Sequence, residues 1–406
     1  MLLSLALIFL VGLSAAAIFG ALKLPRIVGM LGVGIVLGPF VLDLLDPSIL
    51  GISSELRQIA LIIILIKAGI TLNLSDLKKV GRPAVLMSFV PACFEMLAYF
   101  LIAPHVLGIA PIEAAVMGAV LSAVSPAVVV PRMVSLIDNK YGTEKSIPQM
   151  ILAGASCDDI FVIVLFSTFV AMAQGGNANV SDFVNIPVSI ILGVLVGVAA
   201  GLSLYFLFKL FDKRKKIRAS FKVIIILGVA FLLMSVETAL KGYVALSGLL
   251  AVVSMACVIK LKSPAEISEK LSDKFGKLWL AAEVVLFVLV GAAVDIRYTV
   301  TEGAAAMIGM IFIALGVRAV GVIICMLGTK LNFKERLFCV IAYLPKATVQ
   351  AAIGSVPLSL GLPCGKIVLS VAVLAIVITA PLGAFGIDLT YKRLLQKEES
   401  SGTDLS

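Results

Sequence analysis

Thirteen stretches of this 406-residue chain are each apolar over about the 20 residues that a helix needs to cross a bilayer, which restricts the fold more than any single motif does. They fall near 2–22, 27–44, 56–73, 83–104, 112–131, 147–172, 186–209, 220–238, 243–260, 276–294, 303–328, 336–360 and 366–387. Hydrophobic residues make up 61% of the chain and charged residues 14%, and the mean hydropathy is +1.15. A soluble globular domain does not reach such values. The expected fold is therefore an all-α polytopic membrane protein of about 13 transmembrane helices.

The basic residues orient it. With the amino terminus outside, the outer segments hold only Arg57, Lys241, Arg297 and Lys366, while 26 of the 33 Lys and Arg lie in or beside the inner ones, including Lys213-Arg214-Lys215-Lys216. Lys67, Arg318 and Lys346 remain inside spans. This bias predicts an inside carboxyl terminus, and it assigns the net charge of +9 to the cytoplasmic leaflet rather than to a nucleic-acid partner.

Other features exclude function classes. The first apolar stretch lacks a basic n-region and an obvious cleavage site, so it reads as a span that stays. The six cysteines are isolated, which predicts neither a zinc site nor a disulfide framework. Asn179-Val180-Ser181 matches a glycosylation acceptor in an outside loop, a three-residue signal of low specificity. No GxxxxGK[ST] loop occurs, so ATP is not expected as a driver, and no cofactor is expected either.

Charge inside the spans carries the functional signal. Asp158-Asp159 interrupts an apolar run from Ile151 to Ala171, where each carboxylate is disfavoured by about 2.5–3.5 kcal/mol on insertion scales. Glu95 and Arg318 lie midway along the fourth and eleventh spans, and burying either alone costs several kcal/mol. Arginine cannot shed its proton, so the two are expected to pair, as a scaffold or as part of the transport machinery. Glu283 reads equally as a satisfied structural acid, and Lys67 as a lysine that snorkels to the membrane surface.

Two spans are broken by proline. The fifth reads LSAVSPAVVVP (Leu121 to Pro131) and the twelfth AYLPKATVQAAIGSVP (Ala342 to Pro357); Pro126 and Pro345 each remove a helix hydrogen bond and clash with the preceding turn. A kink whose freed carbonyl is satisfied by neighbours would explain either one alone. Together, however, a charged fourth and a broken fifth span correspond to a charged eleventh and a broken twelfth, with 31 residues from Glu95 to Pro126 and 27 from Arg318 to Pro345. Spans one to six and eight to thirteen then form two six-helix repeats, inverted because a single span links them. Crossed broken helices near the midplane make a cation site, with oxygens from Ser122 and Ser125 and with Lys346 offsetting the negative helix ends. Asp158 and Asp159 differ by about 100° around one helix, so one is expected to bind and the other to tune.

At these residues the chain resembles a family. LPRIVGMLGVGIVLGP (Leu24 to Pro39) and LIKAGITLNLSDLKKVG (Leu65 to Gly81) resemble the early spans of monovalent cation/proton antiporters. SPAVVVP (Ser125 to Pro131), GASCDDIFVIVLF (Gly154 to Phe166) and LPKATVQAA (Leu344 to Ala352) resemble the NHA-type sodium/proton antiporters and their bacterial relatives. The likeness extends over nearly the whole chain. It implies that Asp159, with Asp158 beside it, is shared between cation and proton, and that Na+ is bound at Asp159, Asp158 and Ser125. It also implies a Glu95–Arg318 pair and, at the second break, Lys346 followed by Thr348 and Gln350. A homodimer is implied, with a dimerisation panel (1–73 and 220–294), a moving core (83–172 and 303–387), a linker span (186–209) and a cytoplasmic tail (388–406). The chain departs from the bacterial antiporters best known for charge-moving exchange by carrying Ser-Pro for Thr-Asp in the first broken helix and Arg318 for a lysine. Since Arg318 does not release a proton, one-for-one exchange is expected, with Lys346 the remaining amine that bears on it.

The expected activity is thus exchange of Na+ or Li+ for H+ in a bacterial inner membrane, by competition for Asp159. Burial penalises the charged form of a carboxylate, so the empty site holds a proton until a cation displaces it. A sodium-coupled solute symporter of the same fold is the alternative. A cation channel would need a continuous polar path, whereas the polar residues cluster at one depth. An intramembrane aspartyl protease fits poorly, because its two carboxyl groups must face each other and neighbours on one helix do not.

Overall fold

The structure, a computed structural model, describes residues 1–71, 81–174, 180–214, 217–240, 246–301 and 303–398. Asn179 of the acceptor motif, Lys215 and Lys216 of the basic run, Lys241 and the terminal residues 399–406 lie outside the described residues.

The described chain is helical: α1 (Leu2–Ala21), α2 (Arg26–Leu37), α3 (Pro47–Gly51), α4 (Ser53–Thr71), α5 (Arg82–Met87), α6 (Val90–Leu107), α7 (Pro111–Leu121), α8 (Pro126–Asp138), α9 (Ile147–Gln174) and α10 (Val180–Arg214). There follow α11 (Ala219–Leu240), α12 (Gly248–Lys262), α13 (Ala265–Ala292), α14 (Ile296–Thr301), α15 (Ala304–Cys325), α16 (Phe333–Ala342), α17 (Thr348–Gly354), α18 (Val356–Ser359) and α19 (Gly365–Leu394). Among the described residues nine helical elements are long and apolar enough to cross a bilayer. The four other stretches expected to cross are helical too, but α2 and α12 are short, α4 carries Glu55, Arg57 and Lys67, and α16–α18 is broken.

Several boundaries differ from expectation. The second span ends at Leu37 rather than 44, because Gly38 precedes Pro39 and takes an extended conformation (ψ 172°), as a residue before proline prefers. The fourth is two helices, α5 and α6, separated at Ser88 and Phe89, with Pro91 in the first turn of α6 where its missing N–H costs nothing. The tenth begins eleven residues early, at Ala265: its first turns are amphipathic, with Ser268, Leu271 and Phe275 buried and Glu266, Lys270 and Lys277 outward. Of the segment expected as a cytoplasmic tail, 388–406, the described part ends at 398 and is packed. Helix α19 continues to Leu394, and the next residues clip onto the loop between α8 and α9: Gly142 N–H donates to Gln396 O (2.8 Å) and Glu398 N–H to Lys140 O (2.8 Å).

Packing divides the helices by how closely they approach. α2 lies backbone to backbone on α13, where a Cβ on Gly34 would collide with the Val288 carbonyl; α10 lies equally close to α12, where Gly197 meets the Ala251 carbonyl. Small residues permit such approach in a bilayer, where packing rather than hydrophobicity drives helix association. Helices α6, α7, α9, α15, α17 and α19 instead surround a buried polar centre.

Candidate ion-binding site

The unwound segments 122–125 and 343–347 cross at that centre, and Ser125 N–H donates to Pro345 O at 2.8 Å. Backbone groups freed in low dielectric must find partners, and several here find them in side chains. Val124 N–H donates to Asp158 Oδ2 (2.8 Å), Ala123 O and Leu121 O accept from Gln350 Nε2 (2.8 and 3.4 Å), and Ser122 O accepts from Arg318 Nη1. In the second break Tyr343 O accepts from Arg318 Nε (3.0 Å), Ala347 N–H donates to Gln350 Oε1 (2.8 Å) and Lys346 N–H to Thr379 Oγ1 (2.9 Å). Gln350 therefore ties the two breaks together, bonding one with its amide nitrogen and the other with its oxygen.

Five buried charges surround this crossing. Arg318 Nη1 lies 2.6 Å from Glu95 Oε2, and Arg318 Nη2 lies 3.4 Å from Asp158 Oδ2. Its guanidinium carbon is 5.5 Å from the centre of the Tyr343 ring, so the cation is held on its edges and on its face. Lys346 Nζ reaches the same Glu95 Oε2 at 2.6 Å. Glu95 thus bridges two cations, an arrangement that the linear sequence does not show; Lys346 is engaged there rather than free over the helix ends.

Asp159 stands apart. Among the described residues it forms no ion pair, and its Oδ1 is buried with no hydrogen-bond partner. It opens onto a narrow cavity of about 10 Å³, room for the centre of one water molecule. The walls are Leu61, Ile64, Leu65 and Ala68 of α4, Ile160 and Ile163 of α9, and Val349 and Ala352 of α17. Two further oxygens at the crossing are buried and unpartnered, Asp158 Oδ1 and Ser125 Oγ. The Ser122 hydroxyl donates to Gly118 O (2.5 Å), which leaves its lone pairs available. Thr348 is buried in the first turn of α17. A hard monovalent cation is bound by such oxygens, carboxylate, hydroxyl and carbonyl, and the donor set present suits one.

Outside the centre, Lys67 Nζ stacks 5.9 Å over the Trp279 ring. Glu283 lies in the electrostatic reach of Lys67 and Arg26. The sequence reading missed Thr379, which carries no charge and stands in no motif, and gave no role to Tyr343, which lies in the broken twelfth span.

A model of the transmembrane sodium/hydrogen exchangers matches residues 5–392. The chain belongs to the sodium/hydrogen exchanger family. This is a family of membrane transporters, not of enzymes. Human sodium/hydrogen exchanger 9B2 is 36% identical over 363 residues, covering 87% of this chain and 66% of the human one. The mouse 9B2 exchanger is 33% identical over 413 residues, covering 97% of this chain and 74% of the mouse one. The chain thus spans just under two thirds of the length of the human exchanger. The sodium proton antiporter MjNhaP1 of Methanocaldococcus jannaschii, solved at pH 8, superposes with a TM-score of 0.79 at 22% identity over 96% of this chain and 97% of that one. The all-helical polytopic membrane fold with broken helices is the fold of that antiporter.

Proposed function

We propose that this exchanger moves Na+, or Li+ in its place, against H+, one for one, with Asp159 as the group that the two ions share. One observation carries the reading: of three acids buried at the crossing, Glu95 and Asp158 are ion-paired and Asp159 is not. A carboxylate with no standing counter-ion accepts either a proton or a metal cation, and each excludes the other. Asp158 Oδ1 and Ser125 Oγ, both buried and without a hydrogen-bond partner, supply further oxygens for the cation. Arg318, fixed by four acceptors, keeps its proton throughout, which favours an electroneutral cycle.

The position of Asp159 supports alternating access. Its cavity lies where α9 and α17 of the core meet α4 of the panel, so displacement of one body past the other exposes the carboxyl group to either side in turn. Close backbone contacts hold α2 to α13 within the panel and α10 to α12, so the linker helix travels with the panel. The lipid-facing side chains of α1, among them Leu3, Leu10 and Ile18, are the face through which panels pair in a homodimer. The asymmetry of Lys and Arg orients the amino terminus outside and the carboxyl terminus in the cytoplasm of a bacterial inner membrane.

Reconstitution tests the assignment. In proteoliposomes carrying a pH gradient, Na+ or Li+ without any organic solute collapses the gradient through the wild-type protein, and Asp159→Asn abolishes that response while remaining monodisperse and folded. Robust cation-driven proton movement in Asp159→Asn removes Asp159 from the role, and a requirement for an organic solute replaces exchange with symport.

A further inference from the structure

Of the side chains that satisfy the freed backbone at the crossing, three, Asp158, Arg318 and Gln350, belong to the polar cluster that the sequence already marks. The fourth is Thr379. It lies midway along α19, fully buried, fourteen residues after the start of a thirty-residue helix whose stretch from Val371 to Ile387 is otherwise apolar. A threonine in a helix usually returns its hydroxyl to the carbonyl one turn back. Here its Oγ1 instead accepts the Lys346 N–H at 2.9 Å. That donor is free only because Pro345 interrupts the twelfth span.

The same face of α19 accommodates the break itself. Gly383, one turn beyond Thr379, lies against the Pro345 ring so closely that a Cβ there would overlap the ring carbons. Gly386, further along, would meet Ile341, the last turn of α16 before the break, at 2.7 Å. Thr379, Gly383 and Gly386 thus form a cradle: one polar atom holds the unwound strand, and two absent side chains make room for it.

Lys346 is consequently held at both ends, its backbone nitrogen by Thr379 and its ammonium by Glu95 at 2.6 Å. Glu95 in turn is the acid that fixes Arg318, and Arg318 holds Asp158. We propose that Thr379 is a positioning residue for ion exchange, setting the place of Lys346 and through it the charge balance beside Asp159. The proposal rests on the exchange reading above and goes beyond it, since Thr379 touches neither ion.

Three variants, Thr379→Ser, Thr379→Val and Thr379→Cys, test it beside the wild type in proteoliposomes, with initial exchange rates measured against Na+ concentration at several pH values. Serine keeps the acceptor and should stay within about twofold of wild type. Valine keeps the shape, leaves the Lys346 N–H unpartnered, and should lower kcat/KM for Na+ by about tenfold, with a displaced pH profile. Cysteine, a weak acceptor, should fall between, and it carries the comparison with serine if the valine variant does not fold. An unchanged KM, kcat and pH profile in valine or cysteine overturns the proposal, as does a serine variant as impaired as valine. A wild-type protein that shows no Na+-driven proton movement defeats the exchange reading instead, so the two failures are distinct.

Discussion

Asp158 and Asp159 are consecutive on α9 yet belong to different environments: Asp158 accepts from Val124 N–H and pairs with Arg318, whereas Asp159 faces a small apolar cavity and forms no ion pair among the described residues. Their neutral variants should therefore differ in sign. Asp158→Asn removes the second acid from Arg318 and should destabilise the purified protein by about 1.5–3 kcal/mol, the scale of a hydrogen bond to a charged group. Asp159→Asn breaks no such bond and should melt at or above the wild-type temperature. Thermal unfolding in detergent, followed by intrinsic fluorescence, checks the pair; equal losses in both would contradict the division of roles.

Glu95 holds Arg318 and Lys346 on one oxygen. Glu95→Gln leaves two buried cations with only the longer Asp158 contact between them, and such a loss costs about 3–5 kcal/mol. Arg318→Lys should not substitute for the native side chain, because one ammonium cannot replace the nitrogens that reach Tyr343 O, Ser122 O, Glu95 and Asp158. Expression yield and melting temperature should fall in the order wild type, Arg318→Lys, Glu95→Gln.

How much of this was legible beforehand depends on range. Pro126 and Pro345 break their helices through a local effect, steric and hydrogen-bonding, and so the two breaks could be read from the chain. The break at Ser88 and Phe89 has Pro91 as its signal, but an apolar run with proline near a helix start reads equally as one span. The Glu95–Arg318 contact was reachable because arginine demands a counter-ion. That Lys346 would reach the same oxygen, 251 residues away, depends on the path of the backbone between them, which no local pattern encodes. Thr379 was invisible for the same reason: its hydroxyl acquires meaning only when the second break lies against α19.

Competition at one carboxyl group fixes a pH signature. On the proposed assignment protons oppose Na+ at Asp159, so the apparent KM for Na+ should rise as pH falls. Once protonation dominates, a single shared site gives a rise of about tenfold per pH unit, whereas two protons released per cation give about a hundredfold. Initial rates over a Na+ and pH grid in proteoliposomes, with the membrane potential clamped, yield that slope. A limiting slope of two would assign a second proton to Lys346, and a KM independent of pH would remove competition altogether.

The proposed motion of the core against the panel can be arrested at a defined point. Ser167 of α9 and Ser247, the residue that caps α12, approach with their hydroxyl oxygens 3.2 Å apart, across the boundary between the proposed core and panel. Replacing both by cysteine, in a background whose six native cysteines are removed, gives thiols close enough to join under mild oxidant. Oxidation should stop Na+/H+ exchange in vesicles, reductant should restore it, and either single cysteine should be insensitive. Sliding of α9 past α12 is what the bond prevents, so a fully cross-linked protein that still exchanged ions would place the moving boundary elsewhere.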